Sequence, residues 1–389
     1  MYVNRNGRNY LKLSKTTKTD ICIVGGGIVG LSCAYFLANE GYSITLIERD
    51  SIGSHASGFA YGSLSPLGEA GLEKDIFPEM QVARLGMKIH SEFASDLQQI
   101  TGIDVQYRTR PSMDIALSDE ECNSGKQQAE WKTQEEGYSV EWISGDAARD
   151  LIPWLSPKVL GAVYTKGVAD VDPYRLTLAL AQACENLGVL IRHGEVNGIK
   201  TSGTTLEGVD TTSGTIDCNQ AIFAAGPWVG LFSDWLKINI PISPLKGQIL
   251  RLDSPTTPIN CSVGWRGNYA CTKLDGLIWA GTTEENVGFD DNVTSSARDQ
   301  IIDNLLTMLP ELDKARIVHQ TACLRPISTD KKIILGNIPN LQGAYIATGT
   351  GRKGILLGPA MGKLTSDLII GKDPTINIEE FSLRRFTSQ

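Results

Sequence analysis

Apolar residues along this chain fall into runs short enough for strands and into stripes spaced for helices. Asp20–Val24 (DICIV) is a short apolar run that stops at glycines, which predicts a strand. Ile28–Glu40 follows with apolar positions at helical spacing and Gly41 just beyond, a natural helix stop. Ser43–Ile47 (SITLI) then predicts a second strand ending at Glu48. Strand, helix and strand within about thirty residues make a βαβ unit, and its crossover requires a parallel sheet. Further on, Glu79–Ile100 reads as a long amphipathic helix and Asp119–Glu136 as a polar, exposed one. Pro173–Leu187 reads as a helix opened by proline and followed by Gly188. Thr205–Thr211 and Thr215–Cys218 flank Ser213-Gly214 as a hairpin, and Ala221–Ala225 (AIFAA) predicts a buried strand stopped by Gly226-Pro227. From Ile238 to Ser328 the pattern is strand-rich with prolines and carries one helix, Thr294–Met308. Ala344–Thr348 then predicts a buried strand and Gly354–Ile370 a long apolar helix.

The nucleotide-type pattern sits at both ends and around 160–230, with other segments inserted between. This predicts a discontinuous two-domain chain: an arm at 1–18, a first domain from 19–82, 157–236 and 330–389, and a second from 83–156 and 237–329. Thirty-six basic against 44 acidic residues give a net charge of −8, which argues against nucleic acid as a partner. No stretch reaches the roughly 18 uncharged apolar residues of a membrane span, and the polar N-terminus lacks the apolar core of a signal peptide. Eight cysteines without a CxxC pair give no zinc spacing, and the expectation is no metal and a reducing, cytoplasmic setting. A homo-oligomer is also expected.

The strongest local signal is Gly25-Gly26-Gly27-Ile28-Val29-Gly30, a GxGxxG match between a strand and a helix, with Glu48 at the end of the next strand. Gly25 would make the sharp turn, Gly27 would let backbone amides approach a pyrophosphate, and Gly30 would permit close helix–strand packing. The helix N-terminus supplies partial positive charge, and Glu48 can accept hydrogen bonds from a ribose. The fingerprint alone does not separate NAD from FAD. Its place near the N-terminus, the lack of a second regular βαβ array and the small-residue segment Ser51–Gly68 favour FAD.

Further markers are His55-Ala-Ser-Gly-Phe-Ala-Tyr-Gly62, Val171-Asp-Pro-Tyr174, Ala224-Ala-Gly-Pro-Trp228, Pro244-Leu-Lys-Gly-Gln248, Leu324-Arg-Pro326 and Gly349-Thr-Gly-Arg-Lys-Gly-Ile-Leu-Leu357. In this order the chain resembles the FAD-dependent amine oxidoreductases of the D-amino-acid oxidase, glycine oxidase and sarcosine oxidase type, from Thr19 to about Arg385. The resemblance implies an α/β fold (α+β overall): a Rossmann-like FAD-binding first domain, and a substrate-binding second domain whose antiparallel mixed sheet covers the flavin. For FAD it implies Ile28 and Val29 at the pyrophosphate and Glu48 with Arg49 at the ribose. It places Ala56, Ser57, Tyr61, Gly62 and Ser63 along the diphosphate and flavin, and Val196 at the adenine. Thr350, Gly351, Arg352, Lys353, Gly354, Ile355 and Leu356 would face the pyrimidine side of the ring. There a helix N-terminus suits the negative charge of reduced flavin.

For substrate the resemblance implies Arg325 on a carboxylate, assisted by Tyr269 and Arg352, because the guanidinium fork matches a carboxylate. The implied reaction needs no acid–base pair: hydride passes from Cα of a small amino acid or secondary amine (glycine, sarcosine, a D-amino acid or a proline-like compound) to flavin N5. The resulting imine hydrolyses to a 2-oxo acid and ammonia or an amine. Three departures bear on this. Thr350 and Lys353 stand where glycine oxidases commonly carry histidine and asparagine. Ile278 stands where sarcosine oxidases have an oxygen-activating lysine, which leaves O₂ and a quinone or carrier both open as acceptor. Cys323 matches the cysteine that joins flavin covalently in sarcosine oxidases. Non-covalent FAD is the expectation, with attachment through Cys323 as the alternative. The competing readings of function are a flavin-containing RNA-modifying protein and a non-catalytic flavoprotein subunit of a dehydrogenase complex.

Overall fold

In the first strand, Thr17–Val24, the residues Ile21, Cys22 and Ile23 are fully buried. It pairs in parallel with Ile44–Glu48, from Ile21 opposite Ile44 to Val24 opposite Ile47. The helix Ile28–Asn39 crosses between them and buries Ile28 through Ala34 and Leu37, so an apolar surface wraps most of it. The computed structural model describes residues 17–68, 79–255, 258–373 and 376–386. The expected arm at 1–18 lies outside the described residues except for its last two, which already belong to the first strand.

The first sheet has eight strands. Its path runs Val196–Ser202, Thr205–Thr211, Gly214–Phe223, Thr17–Val24, Ile44–Glu48, Leu190–His193. Ala344–Thr348 joins in parallel beside Gly214–Phe223 and carries Ile334–Asn337 antiparallel. The helices Met80–Thr101, Pro173–Asn186 and Gly354–Ile369 share a core with the first helix. The second sheet also has eight strands, in the order Arg316–Ser328, Ile242–Asp253, Ile278–Gly281, Asn268–Thr272, Ser262–Trp265, Ser112–Ala116, Gly161–Lys166, Ser139–Ser144. One of its pairings, Ser262–Trp265 with Ser112–Ala116, is parallel and the rest are antiparallel. The helix Ser295–Met308 packs into its core. A mixed α/β fold of several sheets, with a mixed second sheet, is the fold class expected from the sequence.

Two expected details differ. The stretches Thr215–Cys218 and Ala221–Ala225 are one strand, Gly214–Phe223, because the polar Asn219 and Gln220 continue the ladder, Gln220 opposite Ile21. The division of the chain also shifts. The strand Gly161–Lys166, inside the expected first-domain segment 157–236, pairs in the second sheet. The helix Met80–Thr101, largely inside 83–156, buries Val82, Ile89 and Phe93 in the first core. Hydrophobic spacing identifies an element and not the layer that takes its buried face. Among the described residues, no helix is long and apolar enough to cross a membrane, and no group of three His, Cys, Asp or Glu side chains is placed to hold a metal.

Candidate active site

A cavity of about 530 Å³ is lined by residues of both sheets. Of the residues expected at cofactor or substrate, all but Gly30 lie on its wall. Gly30 serves packing instead: a Cβ there would overlap the Gly25 carbonyl, while Gly25 itself turns the chain at φ +110°. At this end Glu48 is fixed by two amides. Its Oε2 accepts from Gly26 N at 2.7 Å and its Oε1 from Asp50 N at 2.8 Å, leaving lone pairs for ribose hydroxyls. The Ile28 N–H, expected at a pyrophosphate, donates to Ser57 Oγ at 3.0 Å, so the small-residue segment is tied to the helix entrance. The Arg49 guanidinium lies 4.8 Å from the Trp228 ring centre, and His55 packs against the same ring at 4.7 Å.

The other end is opened by the turn Gly351–Lys353, from which the helix Gly354–Ile369 starts. The residues that precede the two helices, Lys353 here and Gly27 at Ile28–Asn39, cap neither N-terminus with a side chain of their own. Two helix N-termini on one cavity, each with partial positive charge, fit a dinucleotide whose diphosphate and distal ring both carry or develop negative charge. His90 Nε2 meets the Ile355 carbonyl at 2.7 Å from behind. Burial drives its pKa down to about 4, so near neutrality the ring is uncharged and donates through Nε2.

Above this floor Tyr61 stacks on Tyr269 with ring centres 3.8 Å apart, and the Tyr61 hydroxyl bonds Ser262 Oγ at 2.8 Å. Burial pushes both phenols up, Tyr269 to about 12 against the opposite pull of Arg325 and Arg352, so both remain neutral near pH 7. Arg325 is 9% exposed on the strand Arg316–Ser328, where alternation puts it on the same face as Cys323. Its Nη1 donates to the Thr283 carbonyl at 3.1 Å and its Nη2 to Thr282 Oγ1 at 2.7 Å. The guanidinium lies over Gly247, where any Cβ would overlap it. Arg352, by contrast, pairs with Glu284 at 3.1 Å and donates to the Gly267 carbonyl at 2.8 Å. Burial raises the Cys323 thiol pKa, opposed by Arg325. Ile278 belongs to the second core and is not on the cavity wall.

Sequence reasoning missed Thr282, Thr283 and Glu284, which set the two arginines, and assigned no role to Gly247 or Trp228 although both lie in quoted motifs. The run Gly281-Thr-Thr-Glu-Glu285 carries no recognisable signal of its own.

Comparison with known proteins gives the following. The family model described as FAD dependent oxidoreductase matches residues 20–368. The glycine oxidase of Pseudomonas aeruginosa is 30% identical over 369 residues, covering 92% of this chain and 96% of that protein. The solved structure of glycine oxidase from Geobacillus kaustophilus matches with a TM-score of 0.90 at 26% identity, over 95% of this chain and 99% of that one. L-proline dehydrogenase from P. horikoshii shares the fold, with a TM-score of 0.85 at 23% identity over 96% and 99% of the two chains.

Proposed function

This chain belongs to the family of FAD-dependent oxidoreductases, and on that premise we propose that it oxidises a small amino acid or secondary amine held through its carboxylate by Arg325. The observation that carries this is Arg325 itself: a buried cation with neutral partners, on the wall of the cavity that also takes in the N-terminal ends of two helices. FAD, bound there, supplies a two-electron acceptor for a carbon–nitrogen single bond, leaving an imine that water hydrolyses to a 2-oxo acid and ammonia or an amine.

The side chains divide the remaining work. With FAD bound, Glu48 would take the ribose and the entrance of Ile28–Asn39 the diphosphate, while Val196 would meet the adenine and the segment Thr350–Leu356 the pyrimidine side. Arg325 fixes the orientation of substrate through two parallel hydrogen bonds, which supports the reaction by removing rotational freedom. The Tyr61–Tyr269 stack shields the substrate end from water, and the neutral Tyr269 hydroxyl adds a hydrogen bond to the carboxylate. Arg352 reaches the same end from the rim. Electrons leave to O₂ or to a quinone or carrier. All eight cysteines are unpaired, which suits a cytoplasmic enzyme.

Anaerobic mixing of the flavin-loaded protein with glycine, sarcosine, D-alanine and D-proline tests the reading. At least one compound is expected to bleach the visible flavin band, and readmitted air to restore it if O₂ is the acceptor. Reduction by dithionite alone, with every amine inert, would reject the proposal.

A further inference from the structure

The two arginines of the cavity are compensated differently by consecutive residues. Thr282 and Thr283 hold Arg325 with a hydroxyl and a carbonyl, which are dipoles and leave its full charge in place. Glu284, the next residue, holds Arg352 with a carboxylate at 3.1 Å. Both arginines line the cavity beside Tyr269: Arg325 bonds Thr282, next to Gly281, which pairs with Tyr269 across the sheet, and Arg352 bonds the Gly267 carbonyl two residues before Tyr269. Arg352 is on the cavity wall; Glu284 is not, and reaches it from the rim with 47% of its side chain exposed. The Gly267 carbonyl holds the other terminal nitrogen of Arg352 at 2.8 Å and fixes the guanidinium in that pose.

Given the proposed reaction on amino acids, we infer that Glu284 is a specificity-determining residue that acts through Arg352 and makes the site select monocarboxylate substrates over dicarboxylates. A first carboxylate enters against Arg325, where an unneutralised charge awaits it. A second carboxylate on the same substrate meets an arginine already neutralised by Glu284, and meets the like charge of Glu284 just behind it. Discrimination of this kind comes from a repulsive element placed against the wrong ligand, in addition to the attraction for the right one. The loop Thr282–Glu284 thus sorts charge: one arginine is kept available and the other is withdrawn.

Sarcosine and iminodiacetate differ by one carboxylate, as do D-alanine and D-aspartate, and acetate and malonate are unreactive counterparts. The experiment compares wild type, Glu284→Gln and Glu284→Asp in the flavin-loaded protein. One readout is kcat and KM for both substrate pairs. The other is the dissociation constants of acetate and malonate, from the shift of the flavin spectrum. For Glu284→Gln the preference for dicarboxylate over monocarboxylate rises tenfold or more, carried by KM, and malonate gains on acetate by the same factor. Glu284→Asp restores the wild-type ratio. A ratio within twofold of wild type in Glu284→Gln, an equal change for both classes, or an aspartate variant that behaves like glutamine would overturn the inference. The binding arm is independent of turnover. Inert amines with a shifted malonate-to-acetate ratio reject the proposed function while upholding the role of Glu284, and active amines with an unshifted ratio do the reverse.

Discussion

Arg325 is buried, yet its two protein partners, the Thr283 carbonyl and the Thr282 hydroxyl, are both neutral. A buried charge without a counter-ion is costly, and a substrate carboxylate removes that cost on binding. Truncating one partner of such a buried charged pair typically costs about 2–5 kcal/mol, or about thirtyfold to several thousandfold. Arg325→Ala is accordingly expected to lose kcat/KM by that range while still binding FAD, measured by steady-state rates beside flavin absorbance. Gly247→Ala tests the same contact from the other side: its added methyl evicts the guanidinium and reproduces the kinetic loss with FAD retained. Normal turnover in either variant would contradict the assigned clamp. At this scale the motif Leu324-Arg-Pro326 was legible in an apolar run. Its partners Thr282 and Thr283 were not, because they act from more than forty residues away, one of them through a main-chain carbonyl that any residue carries. Gly247 stood in a quoted motif. The need for its bare α-carbon follows from register, since it lies opposite Cys323 on the face that Arg325 shares.

The helix Gly354–Ile369 turns its N-terminus to the cavity, and His90, on the helix Met80–Thr101, supports its first turn through the Ile355 carbonyl. That bond uses the neutral ring, whose pKa burial lowers from 6.5 to about 4. In the unfolded chain the imidazole takes up a proton as pH falls below about 6.5, and the folded protein refuses it until about pH 4. Stability contributed by His90 is therefore complete above about pH 6.5 and is lost on acidification, by about 3 kcal/mol once pH is below the folded pKa. His90→Gln keeps a donor without the titration. Its melting temperature is expected to fall less than that of wild type between pH 7 and pH 5, and parallel curves would refute this. Helices and the parallel strands beside the fingerprint were readable because glycine, proline and period mark their ends. The second sheet was not readable strand by strand. Ile242–Asp253, for example, buries six consecutive residues, Leu245–Leu250, the polar Lys246 and Gln248 among them, so its polar–apolar pattern does not report which face is covered.

Across the whole molecule, the functional wall comes from both ends of the chain and from its middle, brought together by two sheets that each draw strands from widely separated segments. Nearly every cofactor and substrate residue that the sequence motifs assigned lies on that wall, since cofactor cradles are built from glycine turns and helix entrances that leave local marks. Wall residues of the second sheet such as Ser112, Ser262 and Gly264 went unnamed. The allocation of Gly161–Lys166 and Met80–Thr101 to layers left none, because it depends on which neighbour buries each apolar face. The central claim is that this shared cavity holds one flavin beside Arg325. Titrating flavin-free protein with FAD, followed by acid precipitation, tests it most directly. The account predicts saturation at one FAD per chain and release of the yellow colour into the supernatant, with Cys323 left as a free thiol. Colour retained in the pellet would show attachment through Cys323 instead, and a folded, colourless protein that takes up no FAD would contradict the account.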